Sequence, residues 1–236
     1  TKTSMQLGQS FIIRNRIPAF KLTDIARLDV WLKRNTGITQ AGTALSAWAD
    51  QSGNNNDATQ STGTDQPTVS ASGRVTFDGV REVLNLDTQL TLSVFTVIIA
   101  MNPDETVTLE NESPLGKGGN DIIKLYRGQD NERIALKANG VQSEINPMSE
   151  PFPTSQFLLT CQRDAAGLFT VRFNGTQVGA ASSVITNLYD INQIGSGSIA
   201  NAQFSGDLNE IAIFSSALSL SDLQKAEADI INRNNI

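Results

Sequence analysis

Apolar and polar positions alternate in short runs along most of the chain. From residue 69 to 214, stretches of strand-forming residues are divided by Gly, Asn, Asp and Pro. "RVTFDG" puts Val75 and Phe77 on one face and predicts a turn at Asp78-Gly79. "FTVIIAM" is apolar at both parities, with Phe95, Val97, Ile99 and Met101 on one side and Ile98 and Ala100 on the other. That pattern predicts a central strand covered on both faces. "DIIKLYRG", "RIALKANG", "FLLTCQRD" and "LNEIAIF" are further strand candidates. "FTVRFNGTQVG" predicts a hairpin turning at Asn174-Gly175. Many strands with few helical segments among them indicate an all-β antiparallel sandwich.

One segment has helical spacing. In "SLSDLQKAEADIINR", Leu223, Ala226 and Ile230 form an apolar stripe. Ser221 as N-cap with Gln224 three residues on makes a capping-box pattern, so a short C-terminal helix is expected to close the sandwich. Residues 1–24 mix basic and apolar positions with no clear period. They are read as an arm that docks on another subunit or as a lead-in strand, ahead of a domain over residues 25–236.

Composition narrows the chemistry. The 236 residues are 39% hydrophobic and 18% charged, which describes a globular chain with a sizeable core. The net charge is −6 and there is no basic stripe, so neither nucleic acid nor an anionic membrane surface is an expected partner. No run approaches the length of a membrane span. The apolar stretch at the N-terminus is too short for a signal peptide, and a removed leader stays open because the chain does not begin with Met. There is no histidine, which removes Ser-His-Asp, Cys-His and HExxH chemistry together. Cys161, the one cysteine, shares the parity of Phe157 and Leu159 and reads as a small buried side chain.

The order of motifs resembles a known group. "LDVWL" (28–32) precedes "WADQSGNNNDATQ" (48–60), "QP" (66–67) and "VTFDG" (75–79). "FTVIIAM", "LGKGG" (115–119), "CQRDAAGLFTVRFNGTQVG" (161–179), "IGSGS" (194–198) and "FSGDLNEIAIFSSALSLSDLQ" (204–224) follow. The set is similar to the concanavalin A-like lectin/glucanase superfamily, in its laminin-G-like branch. The resemblance implies a jelly-roll of two large antiparallel sheets. It also implies a module that binds glycans or proteins, often with calcium, in secreted bacterial proteins or bacteriophage particles. The leading expectation from it is a structural or recognition protein on a virion surface. Its partners would be other virion or surface proteins, engaged through residues 1–24, and a cell-surface glycan. The alternative is an extracellular carbohydrate-binding module from a larger glycan-active protein. Fold analogy alone does not decide function.

The side chains supply candidates. Glycan-cleaving relatives resemble one another in a Glu-x-Asp-x-x-Glu strand motif. The nearest match, Glu227-Ala-Asp229, lacks the last Glu and falls in the predicted helix, where i and i+2 do not share a face. Glu110 and Glu112 sit in an acidic stretch that reads as a solvated loop. No catalytic residue is assigned, and the chain is expected not to be an enzyme. "LGKGG" lacks the spacing of a phosphate loop. For structural calcium, the oxygens of Asp50, Asn54, Asn55, Asn56 and Asp57 lie on a turning loop with Gly53. The competing reading is an Asx-turn network without metal. Glu210 shares parity with Leu208, Ala212 and Phe214 in "LNEIAIF". If that face is covered, its carboxylate needs an Arg, backbone amides or the metal loop; otherwise it is a solvated edge position. The metal set is therefore Asp50, Asn54, Asp57 and Glu210. Trp31 and Trp48 read as packing residues because their neighbours are apolar. The glycan candidates are taken from presumed loops: Tyr126 with Arg127, and Tyr189 with Asp190 and Asn192.

Overall fold

A computed structural model of the chain describes residues 20–106, 112–127, 132–181, 183–196 and 203–236. The strands in chain order are β1 (Leu28–Leu32), β2 (Ile38–Ala41), β3 (Ala44–Trp48), β4 (Ala58–Thr59), β5 (Thr68–Val69) and β6 (Val75–Asp78). They continue with β7 (Leu84–Leu92), β8 (Phe95–Pro103), β9 (Leu115–Lys117), β10 (Asp121–Tyr126), β11 (Arg133–Ala138) and β12 (Val141–Ile145). The last are β13 (Phe157–Arg163), β14 (Phe169–Phe173), β15 (Thr176–Ala180), β16 (Tyr189–Ile194) and β17 (Ser205–Phe214), before the helix α1 (Leu220–Asn234). The named pairings are all antiparallel, and the architecture is an all-β jelly-roll sandwich with one C-terminal helix.

The pairings divide into two layers. The first runs β17–β8–β13–β14–β15, with β6 and β1 lying along the free side of β17. The second runs β2–β3–β4–β7–β16–β9–β10–β11–β12. The short β5 joins them, pairing with β3 and β6. β8 sits between β13 and β17, as its two apolar faces predict. Val97, Ile99 and Met101 face the inter-sheet core with Leu86, Leu136 and Ile191 from the second layer. Ile98 and Ala100 face outward, where Leu223, Ala226 and Ile230 of α1 cover them. The predicted helical stripe is the buried one.

Local chemistry fixes the turns. The β14–β15 hairpin turns on Asn174 (φ 48°) and Gly175 (φ 81°), the left-handed pair that a two-residue hairpin loop needs. The cap of α1 differs from expectation. Ser219, not Ser221, is the N-cap, and its Oγ accepts from the Asp222 backbone N–H at 3.2 Å. Two residues upstream the chain is still extended (ψ 152° at Ser219), so the helix starts early enough to place Ser221 inside its first turn. Leu22 is fully buried in the outer cluster beside α1, so residues 20–24 of the proposed arm pack on the sandwich. The rest of that segment lies outside the described residues. Among the described residues, no helix is long and apolar enough to cross a membrane.

One buried-edge carboxyl gives a pH prediction. Glu82 follows β6, and its Oε2 accepts from the Asp78 N–H at 2.7 Å. Burial, with the Asp78 charge beside it, pushes its pKa from 4.5 to about 7. Below about 7 the folded state takes up a proton that the unfolded chain does not bind until about 4.5. Folding stability therefore rises as pH falls through that window. Thermal melts at pH 8 and pH 5 should show Glu82→Gln more stable than the parent at the high pH. That advantage should shrink at the low one; an advantage constant with pH would remove Glu82 as the cause.

Candidate functional site

The loop from Asp50 to Asp57 is an Asx-turn network. Asp50 Oδ1 accepts from the N–H groups of Trp31 and Ser52 at 2.8 Å each, and Oδ2 accepts from the Ser52 hydroxyl at 2.6 Å and the Asn56 N–H at 3.2 Å. Asp57 Oδ1 accepts from the Asp50 N–H at 2.8 Å. The Asn54 amide donates to the carbonyls of Leu28 and Asp29 at 2.9 and 3.0 Å. Asn56 exchanges two bonds with the Thr88 backbone, at 2.8 and 2.7 Å. The loop thus ties β1 of one sheet to β7 of the other. Both oxygens of Asp50 and Oδ1 of Asp57 are engaged by N–H and O–H donors. Among the described residues, no group of three or more acidic, Cys or His side chains comes together. Melting with and without a calcium chelator should leave the midpoint unchanged, whereas a drop would restore the metal reading.

Glu210 belongs to a different cluster. Leu208 pairs with Met101 and Glu210 with Ala100, so a bulge at Asn209 reverses the parity between them. Leu208 faces the inter-sheet core, and Glu210 points outward with Ala212 and Phe214. Its carboxylate is fully buried and meets Trp31 Nε1 at 2.8 Å, Arg233 Nη2 at 2.8 Å and Asn234 Nδ2 at 2.8 Å. The partner is the arginine of the three alternatives. Burial alone would lower the Arg233 pKa, but hydrogen bonds to Glu210 and Asp229 more than offset it and the pKa is raised. Asp229 and Glu227 are likewise structural, the second bonding Arg172 Nε at 2.9 Å.

The presumed loop tyrosines are in strands. Tyr189 opens β16 with its ring wholly buried against Phe95, 5.4 Å between centroids. Its hydroxyl donates to the Leu115 carbonyl at 3.1 Å. Alternation along β16 turns residue 189 inward, so the ring presents no face to a sugar. Tyr126 ends β10 and is 7% exposed, with the Arg133 guanidinium 3.8 Å above its ring. Arg127 is buried and makes a two-pronged ion pair with Glu112, Nε to Oε2 at 2.6 Å and Nη2 to Oε1 at 2.9 Å. Glu112 is therefore not a solvated loop acid; burial raises its pKa against the pull of Arg127. Asn192 sits at a register shift in β16, and its Oδ1 is buried with no partner among the described residues. Of the five glycan candidates, Asp190 lines a recess.

That recess measures about 270 Å³ and is lined by Thr91, Asp121, Asn139, Leu188 and Asp190. It forms where β9 ends. β9 pairs with the head of β10 at Asp121 on one side and with β16 at Gln193 and Ile194 on the other, and Asp121 and Asp190 both line the gap at the Lys117 end. Gly116 permits the approach: a Cβ there would lie 2.4 Å from the Asp121 carbonyl oxygen. Asp121 fills the gap. It is 9% exposed, and its Oδ1 accepts from the Asn139 N–H at 2.8 Å and the Asp190 N–H at 3.3 Å. Its Oδ2 has no hydrogen-bond partner among the described residues, although the side chain lines the recess. Asn139 (φ 46°) and Gly140 (φ 82°) form the β11–β12 hairpin turn, which sets the exposed Asn139 side chain at the rim.

Asp190 is held in place by Thr91 Oγ1 at 2.8 Å and Lys117 Nζ at 3.0 Å. Partial burial raises its pKa, but these bonds and the Lys117 charge outweigh that and leave it lowered, so it is ionised at neutral pH. Leu188 is 52% exposed and adds an apolar wall. The recess offers carboxylate acceptors, an amide that both donates and accepts, a hydroxyl and an aliphatic surface. "DIIKLY" and "KANG" carried a readable signal, an acid at a strand head and an Asn-Gly turn. What joins them to Thr91 and Leu188 is the long-range pairing of β7, β16, β9 and β10.

No protein-family model matches the chain, and no curated protein matches it in sequence. Solved structures match its fold. Domain 4 of AbnA, a GH43 extracellular arabinanase from Geobacillus stearothermophilus solved with arabinotriose, superposes with a TM-score of 0.61 at 19% identity. That match covers 86% of this chain and 98% of the other. The ligand binding domain of botulinum neurotoxin serotype D, solved with N-acetylneuraminic acid, gives 0.60 at 15% identity over 86% of this chain. A Trypanosoma rangeli sialidase solved with 2,3-difluorosialic acid gives 0.59 at 15% identity, again over 86%. The chain spans 51% of the toxin domain and 33% of the sialidase. At these identities the likeness is one of fold.

Proposed function

We propose that the chain is a non-catalytic carbohydrate-binding module of an extracellular or surface protein, and that it binds saccharide at the recess between Asp121, Asn139 and Asp190. The observation that carries this is the Asp121 carboxylate, nine-tenths buried yet with one oxygen unclaimed among the described residues, beside an exposed amide and an exposed Leu. Sugars present hydroxyl donors and acceptors on an aliphatic frame, and these groups complement both. Two fold neighbours were solved with sugars, arabinotriose and N-acetylneuraminic acid, and this supports the same class of ligand. Glu112, Glu227 and Asp229 are engaged in ion pairs, which favours binding without hydrolysis, and Glu110 lies outside the described residues. The virion surface expectation rests on the resemblance alone; the fold neighbours favour the carbohydrate-binding module.

An oligosaccharide array tests the proposal. Binding should appear for the parent and weaken at least tenfold in Asp190→Ala, about 1.4 kcal/mol. Lys117 is 41% exposed, so loss of this surface pair should cost at most about 1 kcal/mol of stability. An array on which the folded parent binds nothing overturns the reading.

A further inference from the structure

Resting on that reading, we infer that the recess selects neutral saccharides and rejects acidic ones. The argument is the donor inventory of the wall. Recognition of a sialic or uronic carboxylate needs a charge-assisted donor, above all a guanidinium fork or an ammonium group aimed at the ligand. The lining residues Thr91, Asp121, Asn139, Leu188 and Asp190 include no cation. Of the ammonium groups around it, Lys117 Nζ is held on Asp190 Oδ2 at 3.0 Å and Lys137 Nζ on the Gly119 carbonyl at 2.7 Å. The Arg163 guanidinium lies behind the wall and donates to the carbonyls of Asn187 and Leu92 at 2.7 and 2.6 Å, on the interior side of the segments that carry Leu188 and Thr91.

What faces a ligand is anionic. Asp190 is kept ionised by its partners, and Asp121 has an oxygen free to accept from a hydroxyl. A neutral sugar can donate one hydroxyl to Asp121 Oδ2 and exchange bonds with the Asn139 amide, while its C–H face rests on Leu188. A ligand carboxylate placed there meets like charge in a half-enclosed site, where screening by salt is weaker than in open water. The geometry therefore sets a sign for selectivity.

The experiment is a set of matched pairs on one array: neutral oligosaccharides and their sialylated, uronate-containing and sulfated counterparts, probed with the full chain. The parent should bind at least one neutral member and bind its acidic counterpart at least tenfold more weakly. Asp121→Asn keeps the Oδ1 acceptor and removes the charge; it should weaken neutral binding several-fold and narrow the gap to the acidic partner. A melt confirms that the variant is folded, and Asn139→Ala, on the exposed turn, gives a second route to losing neutral binding. Equal or tighter binding of acidic members, sensitive to Asp190→Ala, would overturn the selectivity while leaving the binding site in place. Binding that ignores Asp190, Asp121 and Asn139 together, or no binding at all, would overturn the site itself. Calcium chloride or a simple alkylammonium ion saturating the recess in place of every sugar would show it to be a cation site and overturn both.

Discussion

Glu210→Ala should lower the unfolding free energy by about 3–5 kcal/mol, read from the midpoint of a urea titration. The side chain is fully buried and holds the indole N–H of Trp31, the Arg233 guanidinium and the Asn234 amide at once. Among the described residues, removing it leaves the Trp31 indole N–H without its acceptor, the Asn234 amide with only the Ile230 carbonyl at 3.0 Å, and Arg233 with only Asp229 as an ion-pair partner. Arg233 is part-exposed and can recover some hydration, whereas Trp31 Nε1 and Asn234 Nδ2 are enclosed between α1 and β17. The same cluster fixes the helix end, because Arg34 and Gln156 donate to the Asn234 carbonyl at 3.4 and 2.7 Å. Arg233→Ala should also destabilise, by leaving a buried carboxylate short of its cation. The double variant should cost less than the sum of the two, since each single change already breaks the pair. Additive losses would mean that the ion pair is not the element at stake. A loss under about 1 kcal/mol for Glu210→Ala would mean that the carboxylate is better hydrated than its burial indicates.

That cluster also marks how far the sequence could be read. Periodicity exposed β8, the β14–β15 hairpin and the buried stripe of α1, because each depends on neighbours within about one strand or two helical turns. The partner of Glu210 did not show, because a bulge at Asn209 breaks the alternation that placed Leu208 and Glu210 on one face. Asp50 and Glu210, two of the four residues in the metal set with Asn54 and Asp57, are linked through Trp31, whose main chain bonds one and whose indole bonds the other. Tyr126 beside Arg127, and Tyr189 with Asp190 and Asn192, read as loop residues because polar side chains flank both rings. Sheet pairing overrode that local preference in both strands. The binding recess is the extreme case. Its five lining residues are spread over residues 91–190, and no local pattern connects them.

Arg163→Ala should be the other large loss, about 4 kcal/mol, from a cavity together with unpaired carbonyls. Arg163 ends β13 with its inward parity, and its side chain is wholly buried with its guanidinium 5.2 Å from the Phe95 ring centre. Burial lowers its pKa, and no ion pair reaches it among the described residues. Two carbonyl bonds and an aromatic face hold the charge, and Nε has no partner among the described residues. An arginine kept at such cost is explained by where its bonds go. Leu92 follows Thr91 and Asn187 precedes Leu188, so one planar group spans the two segments that wall the recess. Arg163→Met separates the two roles. It refills the space left by the stem, so much of the stability lost in the alanine variant should return. It restores neither carbonyl bond, so Thr91 and Leu188 lose their common tether. Saccharide affinity should then fall several-fold in a variant that is well folded. Met binding sugar as tightly as the parent would confine Arg163 to packing, and full recovery of affinity in Arg163→Lys, whose single ammonium cannot span both carbonyls as the fork does, would count against the tether as well.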